Sequence, residues 1–225
     1  MTARLSCIVP AYNEAARIGA VLAVLAPHPL LAEVIVVDDG SSDGTADMAM
    51  RHPVRVIRLP GNRGKTAALA VGLAAAQHDA VMLIDSDLSG LTAADVTALA
   101  APVLSGRADA TISLRGNAPG LWRWIGLDYI SGERVFSRAL LAGQGETLRR
   151  LPKFGFEVFL NAIWIRQGLR LAVVRWPGVS SPSKAQKRGV LAGLWADAAM
   201  LADMVRTTGL PTALQQILRM RGVRV

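Results

Sequence analysis

Asp85-Ser86-Asp87 is the stretch whose residue types and spacing could do chemistry. It follows Ala80 to Ile84, an apolar run with the length and composition of a buried strand. Along an extended backbone residues i and i+2 point to the same side, so the two carboxylates would converge where the strand ends. Unpaired, they repel, and one tends to hold a proton. A divalent cation removes that conflict, and hard oxygen ligands suit Mg²⁺ or Mn²⁺. The tripeptide is a short pattern, however, and two solvated aspartates in a polar loop would read the same way.

The elements that would position this pair follow from the periodicity around it. Residues 4–9 read as a first strand and Pro10 to Glu14 as the turn after it. Ala15 to Leu25 has helical spacing, with Ile18, Val21, Leu22 and Leu25 on one face, and Pro27 and Pro29 end it. Strands are expected at Glu33–Val37, Val54–Leu59, 80–84 and Ala110–Leu114, with helices at Thr66–Ala76 and Thr92–Leu104. A further short helix is expected after the Asp38–Thr45 loop. Strands alternating with helices imply an α/β fold with a doubly wound, mainly parallel sheet. Such sheets bind ligands beyond the carboxyl ends of their strands. Tyr12 and Glu14, Asp38 and Asp39, Lys65, and Asp85 with Asp87 each follow a different strand, so they should gather along one sheet edge.

The bulk properties set outer bounds. A chain of 225 residues with 52% hydrophobic content suits one α/β domain with a small extension. Mean hydropathy is +0.34, yet no uncharged apolar run has the length of a membrane span. The N-terminal residues lack a secretory apolar region. The single cysteine, Cys7, excludes an internal disulfide and fits a reducing cytoplasm. Net charge is −3 over residues 1–112 and +11 over 113–225. An acidic half suits a metal site; a basic half suits an anionic partner.

Two nucleotide-binding patterns fail on spacing. A dinucleotide-binding unit needs a glycine-rich turn after its first strand, where this chain has Pro-Ala-Tyr-Asn-Glu. A P-loop needs glycine five residues before Gly64-Lys65, and that position is Leu59.

CIVPAYNE, EVIVVDDGSSDGT, NRGKTAALAVGL and LIDSDLSG, in this order, resemble the nucleotide-sugar half of family 2 glycosyltransferases, which have the GT-A fold. The resemblance spans roughly residues 5–115. It implies that Pro10, Tyr12 and Glu14 line the base and ribose of a UDP- or GDP-sugar. Asp39 would hydrogen-bond the base, with Val37 nearby, and Lys65 would sit near the nucleotide. Asp85, Ser86 and Asp87 would be the D-x-D element, with Asp85 and Asp87 at the Mg²⁺ or Mn²⁺ and Asp87 the principal ligand. Glycosyl transfer expels a nucleoside diphosphate, so a cation there would offset charge growing on the leaving oxygen.

The second half resembles the polyprenyl-phosphate (dolichyl-phosphate) mannosyl- and glucosyltransferases through Arg115, through Ser131-Gly132-Glu133-Arg134 with Arg138, and through Gly155-Phe156-Glu157. That resemblance implies a helix opened by the Ser-Gly-x-Arg turn, with Arg134 and Arg138 one turn apart as phosphate binders. Arg115 and Arg134 would join Asp87 in catalysis. Arg123, Arg134, Arg138, Glu157 and Lys184 would serve the acceptor. Where the subgroup often has glutamine two residues past D-x-D, this chain has Ser89. An ionised phosphate acceptor needs no general base; a hydroxyl acceptor would need one, from Asp128, Glu133 or Glu157. Glu157, in an apolar helix, needs a partner of its own.

Residues 1–185 would be the glycosyltransferase domain, divided at 115 into nucleotide-sugar and acceptor halves. Residues 186–225 would form a basic amphipathic helical tail lying in a membrane interface, or docked on the core or on a second subunit as a homodimer. The expectation is thus a metal-dependent, inverting hexosyltransferase. It would act on a lipid-linked acceptor such as polyprenyl phosphate, in the cytoplasm or peripherally on the cytoplasmic face of the inner membrane. A soluble phosphorylated or hydroxyl acceptor is the alternative. A non-catalytic nucleotide- or nucleic-acid-binding module is a third reading; the tryptophans of the basic half do not form a spaced stacking set, so no nucleic acid is expected.

Overall fold

The computed structural model describes residues 5–118, 120–151, 155–182 and 215–220. Seven strands form one sheet in the order β3-β2-β1-β4-β6-β5-β7. They are β1 (Leu5–Ala11), β2 (Leu31–Asp38), β3 (Arg55–Arg58), β4 (Ala80–Leu83), β5 (Ala110–Arg115), β6 (Arg134–Ser137) and β7 (Leu171–Trp176). The pairs β1–β2, β2–β3, β1–β4 and β5–β7 are parallel. Strand β6 runs antiparallel between β4 and β5. The order reverses at β1, with β2 on one side and β4 on the other, which opens a crevice at the strand ends.

Helices cover both faces, as alternation along β1 requires. Leu5, Cys7, Val9 and Ala11 join the apolar layer that also holds Ile18, Val21, Leu22 and Leu25 of α1 (Ala15–Leu25). Val96, Leu99 and Ala100 of α4 (Ala93–Leu104) complete that layer. Ile8 points the other way, against Ala68, Leu69 and Leu73 of α3 (Lys65–Ala75). Helix α4 starts on a capping box in which Thr92 and Asp95 bond each other's backbone N–H groups. The short α2 (Thr45–Ala49) packs beside α1. Helices α5 (Gly120–Ile125), α6 (Gly145–Arg150) and α7 (Phe156–Arg166) complete the second half.

The expected elements of the first half are present, with ends shifted by up to a few residues. Pro10 and Ala11 continue β1 rather than opening the turn. The second half brings a correction. The segment expected to be a helix after Ser131-Gly132 is strand β6, followed by a 3₁₀ turn at Arg138–Leu141. Arg134-Val135-Phe136-Ser137 alternates between faces, with Val135 in one apolar layer and Phe136 in the other. A strand wedged between β4 and β5 satisfies both their inner edges, and that tertiary demand outweighs a local helical pattern.

The tail is described only at 215–220, a helical segment. Ile217 and Met220 are buried in the core, and the Tyr129 hydroxyl donates a hydrogen bond to Gln216 Oε1. Within this segment Ile217 faces the protein, while Leu218 is exposed. The division at 185 and the rest of the expected tail lie outside the described residues. No helix among the described residues is long and apolar enough to cross a membrane.

Candidate active site

The carboxyl ends of β1 and β2 are stitched into one rim. Pro10 pairs with Val37 and Ala11 with Asp38 in the β1–β2 register. Beyond them, Asn13 N–H donates to Ser41 Oγ, Glu14 N–H to Thr45 Oγ1 and Ala15 N–H to Asp43 Oδ2, at 2.9, 2.8 and 3.1 Å. Asn13 adopts a left-handed φ of 54°, which asparagine tolerates better than most residues. Tyr12 is 43% exposed at the mouth of the rim, whereas Glu14 is buried and paired with Arg17. Asp39 is buried and accepts from the N–H groups of Arg63 and Gly64 at 2.8 and 2.7 Å, one on each oxygen. That clamp draws the 60–64 loop onto the β2 loop and sets where α3, and with it Lys65, begins.

Lys65 is the first residue of α3, and its ammonium occupies the D-x-D corner. Nζ lies 2.7 Å from Asp85 Oδ1 and 3.0 Å from Glu157 Oε1, at the start of α7. Burial disfavours its charge, but Asp85 and then Glu157 outweigh that and raise its pKa. Glu157 thus has its partner, supplied by Lys65 rather than by an arginine of the 131–138 segment or by an acceptor. Gly132 closes over the pair: a Cβ there would lie 2.6 Å from Lys65 Nζ and from Asp85 Oδ1. Ser86 is buried, while Asp85 and Asp87 are part-exposed.

Arg115, the last residue of β5, reaches the same edge from the far side. Nη1 donates to Ser181 Oγ at 2.7 Å. Nη2 is 3.5 Å from Asp128 Oδ2, and Nη1 is 3.6 Å from Glu133 Oε1. Both carboxylates are fully buried. Glu133 Oε2 accepts the hydroxyls of Ser113 and Ser131, each at 2.7 Å. Burial works against the Arg115 charge, yet Glu133, Asp128, Asp85 and Asp87 together raise its pKa. Ser181 belongs to a strap after β7 that crosses the site's edge. Ser89 and Ser180 exchange backbone hydrogen bonds, and Asn117 holds Ser181 through both its amide atoms. At Gly90, with φ of 77°, a Cβ would fall 2.3 Å from Gly178 O, so only glycine admits the strap.

Two expected acceptor residues are placed elsewhere. Arg134 does not face solvent or a ligand. It is fully buried, donating to Ser131 O, Tyr129 O and Asn161 Oδ1, with its guanidinium 4.9 Å from the Trp164 ring centroid. Burial pulls its pKa down to about 10 against the nearby carboxylates. Arg138 lies at the opposite edge of the sheet: β6 runs antiparallel to β4, and Arg138 N–H bonds Asp79 O before β4 begins. Four residues along a strand separate the two arginines by about 13 Å, where a helix would have stacked them. Arg123 is exposed on α5, and Lys184 lies outside the described residues.

Reading the sequence missed Ser113, Ser181 and Asn161. Ser113 left a signal, since Thr111, Ser113 and Arg115 alternate along one face of an otherwise apolar strand. Ser181 and Asn161 left none, because each is brought in from a distant segment.

The donor set fits a divalent cation that arrives with an anion. Around Lys65 and Arg115 the carboxylates Asp85, Asp87, Asp128, Glu133 and Glu157 outnumber the cations Lys65, Arg115 and Arg134. Among the described residues no three His, Cys, Asp or Glu side chains converge as a closed metal cage. Mg²⁺ is ordinarily held by one or two carboxylates together with substrate phosphates rather than by protein ligands alone. Asp87 would hold it, with Asp85 shared with Lys65.

Similarity to known proteins agrees with this geometry. Dolichyl-phosphate beta-glucosyltransferase of Homo sapiens is 33% identical over 102 residues, 38% of this chain and 32% of that protein. Glucosyl-3-phosphoglycerate synthase of Mycobacterium tuberculosis is 37% identical over 111 residues, 45% of this chain and 34% of the synthase. The chain thus matches about a third of the length of these curated relatives. The crystal structure of that synthase with Mn²⁺, UDP and glucosyl-3-phosphoglycerate superposes with a TM-score of 0.74 at 28% identity, covering 93% of this chain and 81% of the other. This likeness identifies the seven-stranded architecture as the GT-A fold. The model of glycosyl transferase family 2 matches residues 6–169, from β1 to the turn before β7. With that match over most of its length, the chain belongs to glycosyl transferase family 2.

Proposed function

We propose that this protein transfers a sugar from a nucleotide-sugar to a phosphate-bearing acceptor, with inversion at the anomeric carbon and with Mg²⁺ or Mn²⁺. The observation that carries the reading is the meeting of Asp85 and Asp87 with Lys65 and Arg115 at the carboxyl edge of β4 and β5. Bound there, a divalent cation supplies Lewis-acid neutralisation of a diphosphate leaving group. The chain's own residues do the remainder. Pro10, Tyr12 and Glu14 form the rim for base and ribose, with Val37 buried in the core beneath it. Asp39 keeps lone pairs for a base N–H beyond those given to Arg63 and Gly64. Lys65 and Arg115 place positive charge where phosphate oxygens would lie, inside a site half closed to water.

The acceptor is read from what the candidate bases can reach. Asp128 and Glu133 are fully buried, and Glu157 is committed to Lys65. An acceptor that attacks through an ionised phosphate needs no base. That favours a lipid phosphate such as polyprenyl phosphate, in line with the name of the dolichyl-phosphate relative. A second reading, a soluble phosphorylated acceptor, is favoured by the likeness to glucosyl-3-phosphoglycerate synthase, which extends through the acceptor half.

A thermal-shift panel of UDP-, GDP- and dTDP-sugars with and without Mn²⁺ tests the proposal. One nucleotide-sugar should raise the melting temperature only when Mn²⁺ is present, because a ligand of the folded state alone stabilises it. Asp87→Ala should abolish the Mn²⁺-dependent shift and lower transfer by about a hundredfold or more. Full transfer by a folded Asp87→Ala variant would refute the metal assignment. Transfer to polyprenyl phosphate but not to phosphoglycerate would select the lipid acceptor, and the reverse result the soluble one.

A further inference from the structure

Among the described residues, four buried polar atoms behind the site lack a hydrogen bond of good geometry: Arg115 Nε, both carboxylate oxygens of Asp128, and Glu133 Oε1. Orphaned buried polar groups are costly, and a cluster of them calls for a reason. Here they belong to one constellation. Glu133 is anchored, because Oε2 accepts two serine hydroxyls. Asp128 is anchored more weakly, by the backbone N–H of Ile130; its carboxylate meets Arg115 across 3.5 Å, too far for a hydrogen bond of ordinary geometry. The gap is also too short to admit a bridging water. The Arg115 side chain is 13% exposed, gives one N–H to Ser181, and buries Nε without a partner among the described residues.

We infer that Asp128 is a positioning residue for Arg115, holding the guanidinium at the sheet edge by charge alone so that its N–H donors stay available to a phosphate group of the substrate. The inference rests on the phosphate-handling role proposed for this edge. A carboxylate in full hydrogen-bond contact would consume the donors that planar recognition of phosphate requires. A neutral residue at 128 would leave Glu133 as the one carboxylate within 4 Å of Arg115, and would let the guanidinium turn inward onto it. The groups facing Asp128 are Arg115 on β5, Glu133 in the preceding turn and Arg134 on β6. Burial raises the Asp128 pKa above the usual carboxylate range, while Arg115 pulls the other way. An Asp whose folded pKa is raised makes folding more favourable as pH falls through that value; ionised, it costs stability. In its ionised form Asp128 therefore gives up stability for the placement of Arg115.

The test compares wild type, Asp128→Asn and Glu133→Gln by titrating inorganic phosphate, alone and with saturating Mn²⁺ and UDP, and by measuring melting temperature. Asp128→Asn should raise the phosphate Kd about tenfold, the low end of what loss of an orienting partner costs. Its melting temperature at neutral pH should equal or exceed that of wild type. The ratio of the two Kd values, in which phosphate's own titration cancels, should shrink toward one as pH falls through the Asp128 pKa. Glu133→Gln should instead lower the melting temperature, since it weakens two hydroxyl-to-carboxylate bonds. Phosphate displaced by UDP would identify the leaving diphosphate as the group Arg115 holds; phosphate bound beside UDP would identify that of the acceptor. An unchanged phosphate Kd in Asp128→Asn, or a loss that is independent of pH and accompanied by a lower melting temperature, would overturn the inference. Phosphate binding that depends on Asp128 in a protein that takes up no nucleotide would leave the inference standing and sink the glycosyltransferase reading.

Discussion

Residue identity at this site matters through what each charge is paired with. Lys65 could have been one more solvated lysine at a helix start; two carboxylates from β4 and α7 make it part of the D-x-D corner. Arg134 makes the opposite point. Its motif context suggested a phosphate binder, and the fold uses it as an internal strut between two backbone carbonyls, Asn161 and Trp164. Lysine retains the charge but not the planar fork or the stacking. Arg134→Lys should therefore lower unfolding free energy by about 3 kcal/mol, as breaking a buried charge network does. Denaturant titration measures this, and a variant of wild-type stability with a raised acceptor KM would restore Arg134 to the acceptor site.

At the scale of elements, the informative piece is β6. One antiparallel strand between β4 and β5 brings Arg134 to the carboxyl end of β4 and carries Arg138 to the other end. It also sets the Asp128–Gly132 turn directly over the D-x-D corner. The helical segment 215–220 shows a similar dependence on a distant partner, since its anchor is the Tyr129 hydroxyl beside Trp122. Tyr129→Phe and Gln216→Ala should each lower unfolding free energy by about 1 kcal/mol, and the double variant by little more than either. Additive losses in that double-mutant cycle would mean that the two side chains do not act as a pair.

For the molecule as a whole, the sheet divides an apolar interior into two layers. Cys7 sits in the middle of β1, fully buried, and burial raises its pKa well above the usual thiol range. Its thiol lies in the apolar layer under α1 and α4, so exposing it requires breaking that core layer. Thiol labelling should therefore follow the rate of global unfolding and slow when nucleotide-sugar and Mn²⁺ are bound. Rapid labelling of the native protein would show that the central strand opens separately. The surplus of negative charge at the functional edge gives the metal a global effect as well, because it relieves repulsion among elements from both halves of the chain.

The sequence alone settled what local periodicity and motif spacing can reach. It placed the alternating strands and helices of residues 5–115, the buried face of α1 and the convergence of Tyr12, Asp39, Lys65 and Asp85 on one edge. Parallel strands joined by helices admit few arrangements, so local pattern nearly dictates topology there. Tertiary structure decided the second half. Whether residues 134–137 form helix or strand depended on an unfilled slot between β4 and β5, which lies outside any local window. The partners of Glu157, Arg115 and Arg134 come from positions up to 92 residues away along the chain. Their pairing is set by which elements the core brings together, a long-range property that residue spacing does not encode.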